Sequence, residues 1–487
     1  MQLAGSHPFL FFDYLRVPYS QDADAVATSG EEDGLFGHIH DADSGRTLWW
    51  PRADAQEHLG LHGGYKMGPA VVFGRVLPDN AVASFLVSKG AGWKPNDAIV
   101  DTTGSVVAHI WGSRTDDVVL PFDPGETMVR CWSEGYKHLR FGLSARVRVA
   151  MVHAYYHARP AIPRAMQIRM RRAFASIQGR ATFPAWPIED GLHDLFDWLF
   201  DQVVGLTGGP VPWVDPWPDG RSWSFVLTHD VDTQKGFDSI DLLRDIERES
   251  GRTSSWNIVP ERYTVADSVL DNLREQGCEI GLHGLHHDGR DLESLRTFET
   301  RLPAMRDYAA RWGAVGFRSP ATHRVWEWMP RLGLDYDTSY PDTDPYEPTP
   351  GGSCSYLPFM NRSMVELPIT LPQDHTLFAI LQQADASLWV DKARHIRDRD
   401  GMALLITHPD YADDQRVVDS YQELLQAFAK DRSVWWALPR EVSAWWRQRG
   451  ASQLKPTPTG WKIDGPAAKR ARVRYATHGA AESCTGS

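Results

Sequence analysis

The chain has 487 residues, 42% apolar and 23% charged, enough for two or three domains with a sizeable core. Its net charge of -12 excludes general nucleic-acid binding, which needs a basic face. No run of eighteen apolar residues occurs, so no transmembrane helix is expected, and four scattered cysteines without a C-x-x-C pair fit neither a disulfide framework nor a zinc finger.

Near the start, Phe9-Leu10-Phe11-Phe12 is apolar, but Asp13 and Arg16 follow at once. The run is too short for a signal-peptide core and has no basic lead-in, so the expected compartment is the cytoplasm. Up to about residue 155, short apolar runs are broken by Gly, Pro and Asp. Examples are Ala70-Val71-Val72-Phe73, Ala83-Ser84-Phe85-Leu86-Val87 and Val106-Val107-Ala108-His109-Ile110-Trp111. This predicts a mixed, β-rich N-terminal domain over 1–155 that carries no chemical motif. Residues 156–220 predict a helical, Pro/Trp-rich connector. It holds a basic helix (Arg164, Arg169, Arg171, Arg172, Arg180), then Phe183-Pro184-Ala185-Trp186-Pro187. A second helical pattern follows (Leu192, Leu195, Phe196, Leu199, Phe200, Val203), then Pro210, Pro212, Pro216 and Pro218. A basic run of this kind is more often a solvated helix face than a seat for an acidic partner. Twenty tryptophans are many for this length. Flat rings suit sugars, but most tryptophan is core.

From 221 to 449 the pattern alternates. Strands are predicted over 223–228, 253–259, 278–283, 314–318, 364–369 and 402–407. Helices are predicted over 238–250, 266–276, 292–312, 324–332, 384–399 and 416–430. Alternation at this spacing implies a parallel sheet with crossover helices, whose chemistry lies at the carboxyl ends of the strands. Residues 450–487 read as a C-terminal extension, partly disordered, with a polar tail from His478.

Every chemical cluster falls at a predicted strand end. Thr228-His229-Asp230-Val231-Asp232 follows an apolar run, and residues two apart on an extended strand point to one side. One carboxylate can bind a cation while the other stays free as a base beside a polarised water. His283-Gly284-Leu285-His286-His287 offers imidazoles four residues apart, with His286 competing for the role of His287. Gly316-Phe317-Arg318-Ser319-Pro320 brings an arginine that would hold a carboxylate ionised, and backbone N–H groups after Pro320 suit an oxyanion. Ala403-Leu404-Leu405-Ile406-Thr407-His408 is a buried-strand pattern ending in a histidine able to protonate a leaving amine. Each cluster alone is equally compatible with turn, cap or core duty.

Together, in this order, the clusters resemble the polysaccharide deacetylases with a NodB-homology domain, carbohydrate esterase family four. The resemblance covers roughly 221–449, about half the chain. It implies an α/β fold, a distorted (β/α) barrel of about seven strands. It implies a divalent metal, Zn2+ first, on Asp232, His283 and His287, with Asp230 as general base and His408 as general acid. Arg318 would position the base, and Asp337, in Tyr336-Asp337-Thr338-Ser339-Tyr340, would fill the remaining motif. Pro320, Ala321, Leu405 and Ile406 would meet the substrate, a carbohydrate bearing an N-acetyl group. The chain departs from the family where Asp-Val-Asp replaces adjacent aspartates, as in an Asp-x-Asp subgroup. Gly284 replaces Ser or Thr, and Ala321-Thr322 replace Tyr-Gly. The rivals are a deformylase or other amide hydrolase of the same fold, a non-haem iron oxygenase using two histidines and a carboxylate, and a non-catalytic sugar-binding relative.

Overall fold

The computed structural model describes residues 1–21, 35–52, 60–140 and 164–478. They divide into two compact units. One comprises Met1–Arg148, Asp190–Asp215 and Arg449–Ser487, the other Val149–Glu189 and Pro216–Gln448. The expected connector is thus shared between the two. Residues 479–487, expected to be disordered, lie outside the described residues.

Among the described residues the first unit is built on a nine-stranded, mainly antiparallel sheet that includes Phe36–Asp41, Thr47–Pro51, Ala70–Val76 and Val106–Gly112. The run Ala83 to Val87 is not a strand. It lies in the helix Asp79–Ser88, which buries Val82, Phe85 and Leu86 at helical spacing. The C-terminal strand Val473–Ala476 pairs antiparallel with Val211–Val214. The buried Arg449 guanidinium donates to the carbonyls of Tyr14, Leu15, Val214 and Asp215, so its charge is spread over four acceptors.

The second unit holds β1 (Trp223–Val231), β2 (Ser255–Ile258), β3 (Glu279–Leu282), β4 (Gly316–Phe317) and β5 (Tyr336–Asp337). It continues with β6 (Phe359–Asn361), β7 (Met364–Glu366), β8 (Met402–Thr407) and β9 (Val434–Trp436). The sheet order is β6-β7-β5-β4-β3-β2-β1-β8, and β9 pairs with the first residues of β1. All pairs are parallel except β6 with β7. Among the described residues this sheet has nine strands, against six predicted from apolar pattern and about seven implied by the resemblance; β6, β9 and the two-residue β5 are too short to show a period. The sheet curls into a half-barrel. Ile369 donates to the Tyr340 carbonyl while Thr370 and Leu371 donate to Leu404 in β8, bridging the β5 side towards β8.

Alternation along β1 sorts its side chains. Trp223, Phe225, Leu227 and Val231 join the core beneath the helices. Thr228 and Asp230 turn inward, where both meet Arg318. The outward His229 joins a buried network. Its ring lies 2.7 Å from Thr407 Oγ1 and 2.7 Å from Glu247 Oε1, and Glu247 also accepts from Ser254 and Tyr421. Inside the curl, space is short. A Cβ on Gly316 would stand 1.9 Å from Cζ of Tyr336, whose hydroxyl is held by Glu279 at 2.8 Å. Gly316→Ala is expected to lower stability by about 1–3 kcal/mol, the cost of overpacking. Urea unfolding checks this, and an unchanged midpoint would show that the ring yields freely.

Candidate active site

Two strand ends deliver three groups able to hold a cation. β1 carries Asp230 inward and, one residue past its end, Asp232. The residue after β3 is His283. The loop then reverses through two left-handed residues, Gly284 (φ 65°) and His287 (φ 52°), which brings His287 back beside His283. No side chain fits at Gly284. A Cβ would meet Asp291 Oδ2 at 2.4 Å and Pro320 Cγ at 2.7 Å. Asp291 already accepts the Leu285 N–H there, which accounts for glycine where Ser or Thr was the expected residue. His286 points elsewhere, 3.5 Å from Glu261, so the competition within the cluster falls to His287.

One ligand atom from each of Asp232, His283 and His287 lies within 4.8 Å of the others. Asp232 Oδ1 is 3.3 Å from His283 Nε2 and 2.9 Å from His287 Nε2. Although buried, this oxygen has no hydrogen-bond partner of acceptable geometry. Ligand atoms about 2.1 Å from a tetrahedral zinc stand roughly 3.4 Å apart, so the spacing and the orphaned oxygen both fit a divalent cation. His283 Nδ1 lies 2.9 Å from the Arg318 carbonyl. Donating there leaves the Nε2 lone pair of the neutral ring facing the carboxylates. Burial pushes the Asp232 carboxyl up, but His287 and His283 outweigh it and hold it well below the usual range. Burial likewise lowers His283, and Asp230 and Asp232 reverse it to a net rise.

Asp230 stays outside this trio. Asn257 Nδ2 donates to its Oδ1 at 2.8 Å, and Arg318 Nη1 is 3.4 Å from both oxygens. Arg318 is fully buried. Its Nε donates to Thr338 at 2.7 Å and its Nη2 to Thr228 at 3.2 Å. Burial raises the Asp230 pKa, but Arg318, His283 and His408 together bring it below the ordinary value, so the carboxylate is ionised and ready to accept a proton.

His408 follows β8. Its Nδ1 is 2.6 Å from Asp374 Oδ1, and its backbone N–H donates to Asp374 Oδ2 at 2.7 Å. Burial lowers its pKa, but Asp374, with Asp232 and Asp230 adding, lifts it to about 10. The ring is therefore an imidazolium at neutral pH, the state a proton donor needs.

The remaining predicted residues are placed differently. Asp337 is not against His408. On β5, Tyr336 and Thr338 turn inward, so Asp337 turns outward, bonded to Ser339 and paired with Glu366. The carboxylate partner of His408 is Asp374, which sequence reasoning missed because it precedes a helical turn at His375–Ile380 and no strand. Leu405 packs outward into the core beneath the helices, whereas Ile406, one residue on, shares the inward parity of His408. Pro320 and Ala321 open the turn after Arg318, with Ala321 (φ 54°) and Thr322 (φ 50°) both left-handed. Asn257, also missed, is a small polar residue inside a strand and bears no motif, and Thr228 heads the first cluster without having been given a role.

No family model matches the chain, and no curated protein matches it. Solved structures do. A Mycobacterium smegmatis protein assigned to the polysaccharide deacetylases is 18% identical over 50% of this chain and 96% of its own, with a TM-score of 0.39. The peptidoglycan deacetylase PdaC of Bacillus subtilis is 12% identical over 47% and 94%, with a TM-score of 0.32. Puue allantoinase is 13% identical over 50% and 95%, with a TM-score of 0.38.

The His408–Asp374 pair carries a pH signature. A histidine raised from 6.5 to about 10 contributes stability that is complete below the lower value and is lost as pH climbs to the upper one. Asp374→Asn removes the cause. The stability advantage of the native chain over this variant should be largest near pH 6 and shrink towards pH 10. Denaturant titrations across that range test it, and a gap that does not change with pH would contradict the pairing.

Proposed function

We propose that the second unit is a metal-dependent deacetylase of the NodB-homology type, hydrolysing the N-acetyl group of an amino sugar in a polysaccharide, oligosaccharide or glycan precursor. One observation carries the reading. An orphaned carboxylate oxygen faces two imidazoles, beside an ionised aspartate on a buried arginine and near a histidine held protonated. The order of the motifs along the chain supports the same family.

Asp232, His283 and His287 would hold the cation, which when bound supplies Lewis-acid polarisation of the amide carbonyl and a more acidic water. Zinc suits two imidazoles and a carboxylate. Asp230 takes the proton from the attacking water as its oxygen adds to the carbonyl carbon. Arg318 keeps Asp230 ionised and aimed. The Ala321 N–H serves the oxyanion in this reading. His408 gives its proton to the nitrogen as the C–N bond breaks, leaving acetate and the free amine, while Asp374 fixes the ring. A binding protein needs neither the ionised base nor the poised acid. Among the described residues no helix is long and apolar enough to cross a membrane. Cys131, Cys278 and Cys354 are buried and form no disulfide among the described residues, which suits the reducing cytoplasm as the place of reaction.

Purified protein incubated with N-acetylated sugars, oligosaccharides and sugar nucleotides is expected to release acetate, and chelator should abolish the release. A metal-loaded protein that releases none from the whole panel overturns the reading. Asp230→Asn should lower kcat by about 10²–10⁴-fold with metal content unchanged, as checked by turnover and elemental analysis. Full activity would remove Asp230 from the base role.

A further inference from the structure

The peptide unit joining Val231 to Asp232 is held at both ends. Its carbonyl accepts the Tyr263 hydroxyl at 2.7 Å. Its N–H donates to Asp410 Oδ2 at 3.0 Å. The other Asp410 oxygen accepts from the Thr233 hydroxyl. This carboxylate sits in a space that only glycine leaves open, because a Cβ on Gly236 would stand 2.1 Å from Asp410 Oδ2. Asp410 itself lies two residues after His408, on the short turn Pro409–Tyr411.

We infer that Asp410, with Tyr263, is a positioning residue that fixes the peptide plane from which Asp232 reaches the two histidines. The inference rests on the proposed metal site. β1 ends at Val231, so the sheet ladder no longer dictates the backbone at Asp232. A peptide free to rotate there would swing the Asp232 side chain, and its orphaned oxygen would no longer face His283 and His287. Clamping the carbonyl from one side and the N–H from the other removes that rotation. The clamp also explains how a ligand one residue beyond the usual adjacent pair can serve, since the extra residue is immobilised by groups outside its own strand. One β8 loop then carries both the proton donor and the clamp, so the two are kept in register.

The test is zinc affinity of metal-free protein by competition with a chromophoric chelator, in the absence of any substrate. Asp410→Ala should weaken zinc binding by about 10–100-fold, and Tyr263→Phe should weaken it less. Asp410→Asn keeps one acceptor and should recover part of the loss, which a purely structural role would not produce. Gly236→Ala keeps a helical backbone that alanine can adopt but drives its Cβ against the Asp410 carboxylate, displacing it from the peptide N–H. It should weaken zinc as Asp410→Ala does while keeping every polar group of the clamp, and the unfolding midpoint of the metal-free protein reads its overpacking cost separately, so the test survives if Asp410→Ala folds poorly. Wild-type uptake of zinc with unchanged affinity in Asp410→Ala and Gly236→Ala overturns the clamp alone. A wild-type protein that takes up no zinc overturns the metal reading, and the clamp with it.

Discussion

A guanidinium with no exposure to water sits inside the curled sheet, and the site is arranged around the need to satisfy it. Burying an unpaired charge costs several kcal/mol. Arg318 avoids that cost by donating to Thr338, Thr228 and the Asp230 carboxylate, three acceptors from β1 and from the residue past β5. Asp230 faces the same problem and is met by Asn257 from β2. Neither ion is tolerable there without the other. The Asp230 carboxylate and the fold of the barrel interior are therefore one electrostatic unit.

The two faces of β1 divide the work between adjacent residues. Asp230 belongs to the inner, chemical face. His229 belongs to the outer one, stacked 4.1 Å from Trp256 and bonded to Thr407 and to Glu247 of the helix Ile240–Glu249. Glu247 is shared with Tyr421 of the helix Gln415–Ala427, so two helices and β8 grip the same strand just behind the site. Such a network has high stakes, because each member left alone would be an unsatisfied buried polar group. It supplies from behind the rigidity that the chemistry requires in front.

Much of this was legible because the signals were periodic or clustered. The long strands β1 and β8 and the helices Leu295–Trp312 and Ser387–Asp398 lie where apolar spacing predicted them. Asp230, Asp232, His283, His287, Arg318 and His408 stood out because reactive residues were concentrated at strand ends. Illegible parts had no local signature. β5 has two residues, and the predicted helix over 324–332 shrinks to a turn at Met329–Leu332, where Pro330 removes a donor. Asp374, Asn257 and Asp410 matter only through partners 27 to 178 residues away. Asp337, offered for the remaining motif of the resemblance, stands one step along its strand from the inward Tyr336 and turns to the outer face.

The charges of the site explain each other when taken in pairs. Two carboxylates are held down and two imidazoles held up against the pull of burial. Without a neighbour, burial would neutralise all four. The interior thus holds positive charge on His408 and, beside Asp232, two imidazole nitrogens and an orphaned carboxylate oxygen spaced to suit a cation. The proposed amide hydrolysis asks for the same division: a positive centre where the carbonyl oxygen gains charge, and a proton where the nitrogen must leave. Histidine can serve at both places only because its partners differ. At the first, the His283 Nε2 lone pair is aimed at an oxygen with no donor. At the second, Asp374 holds the ring by its far nitrogen and leaves the near one to give up its proton.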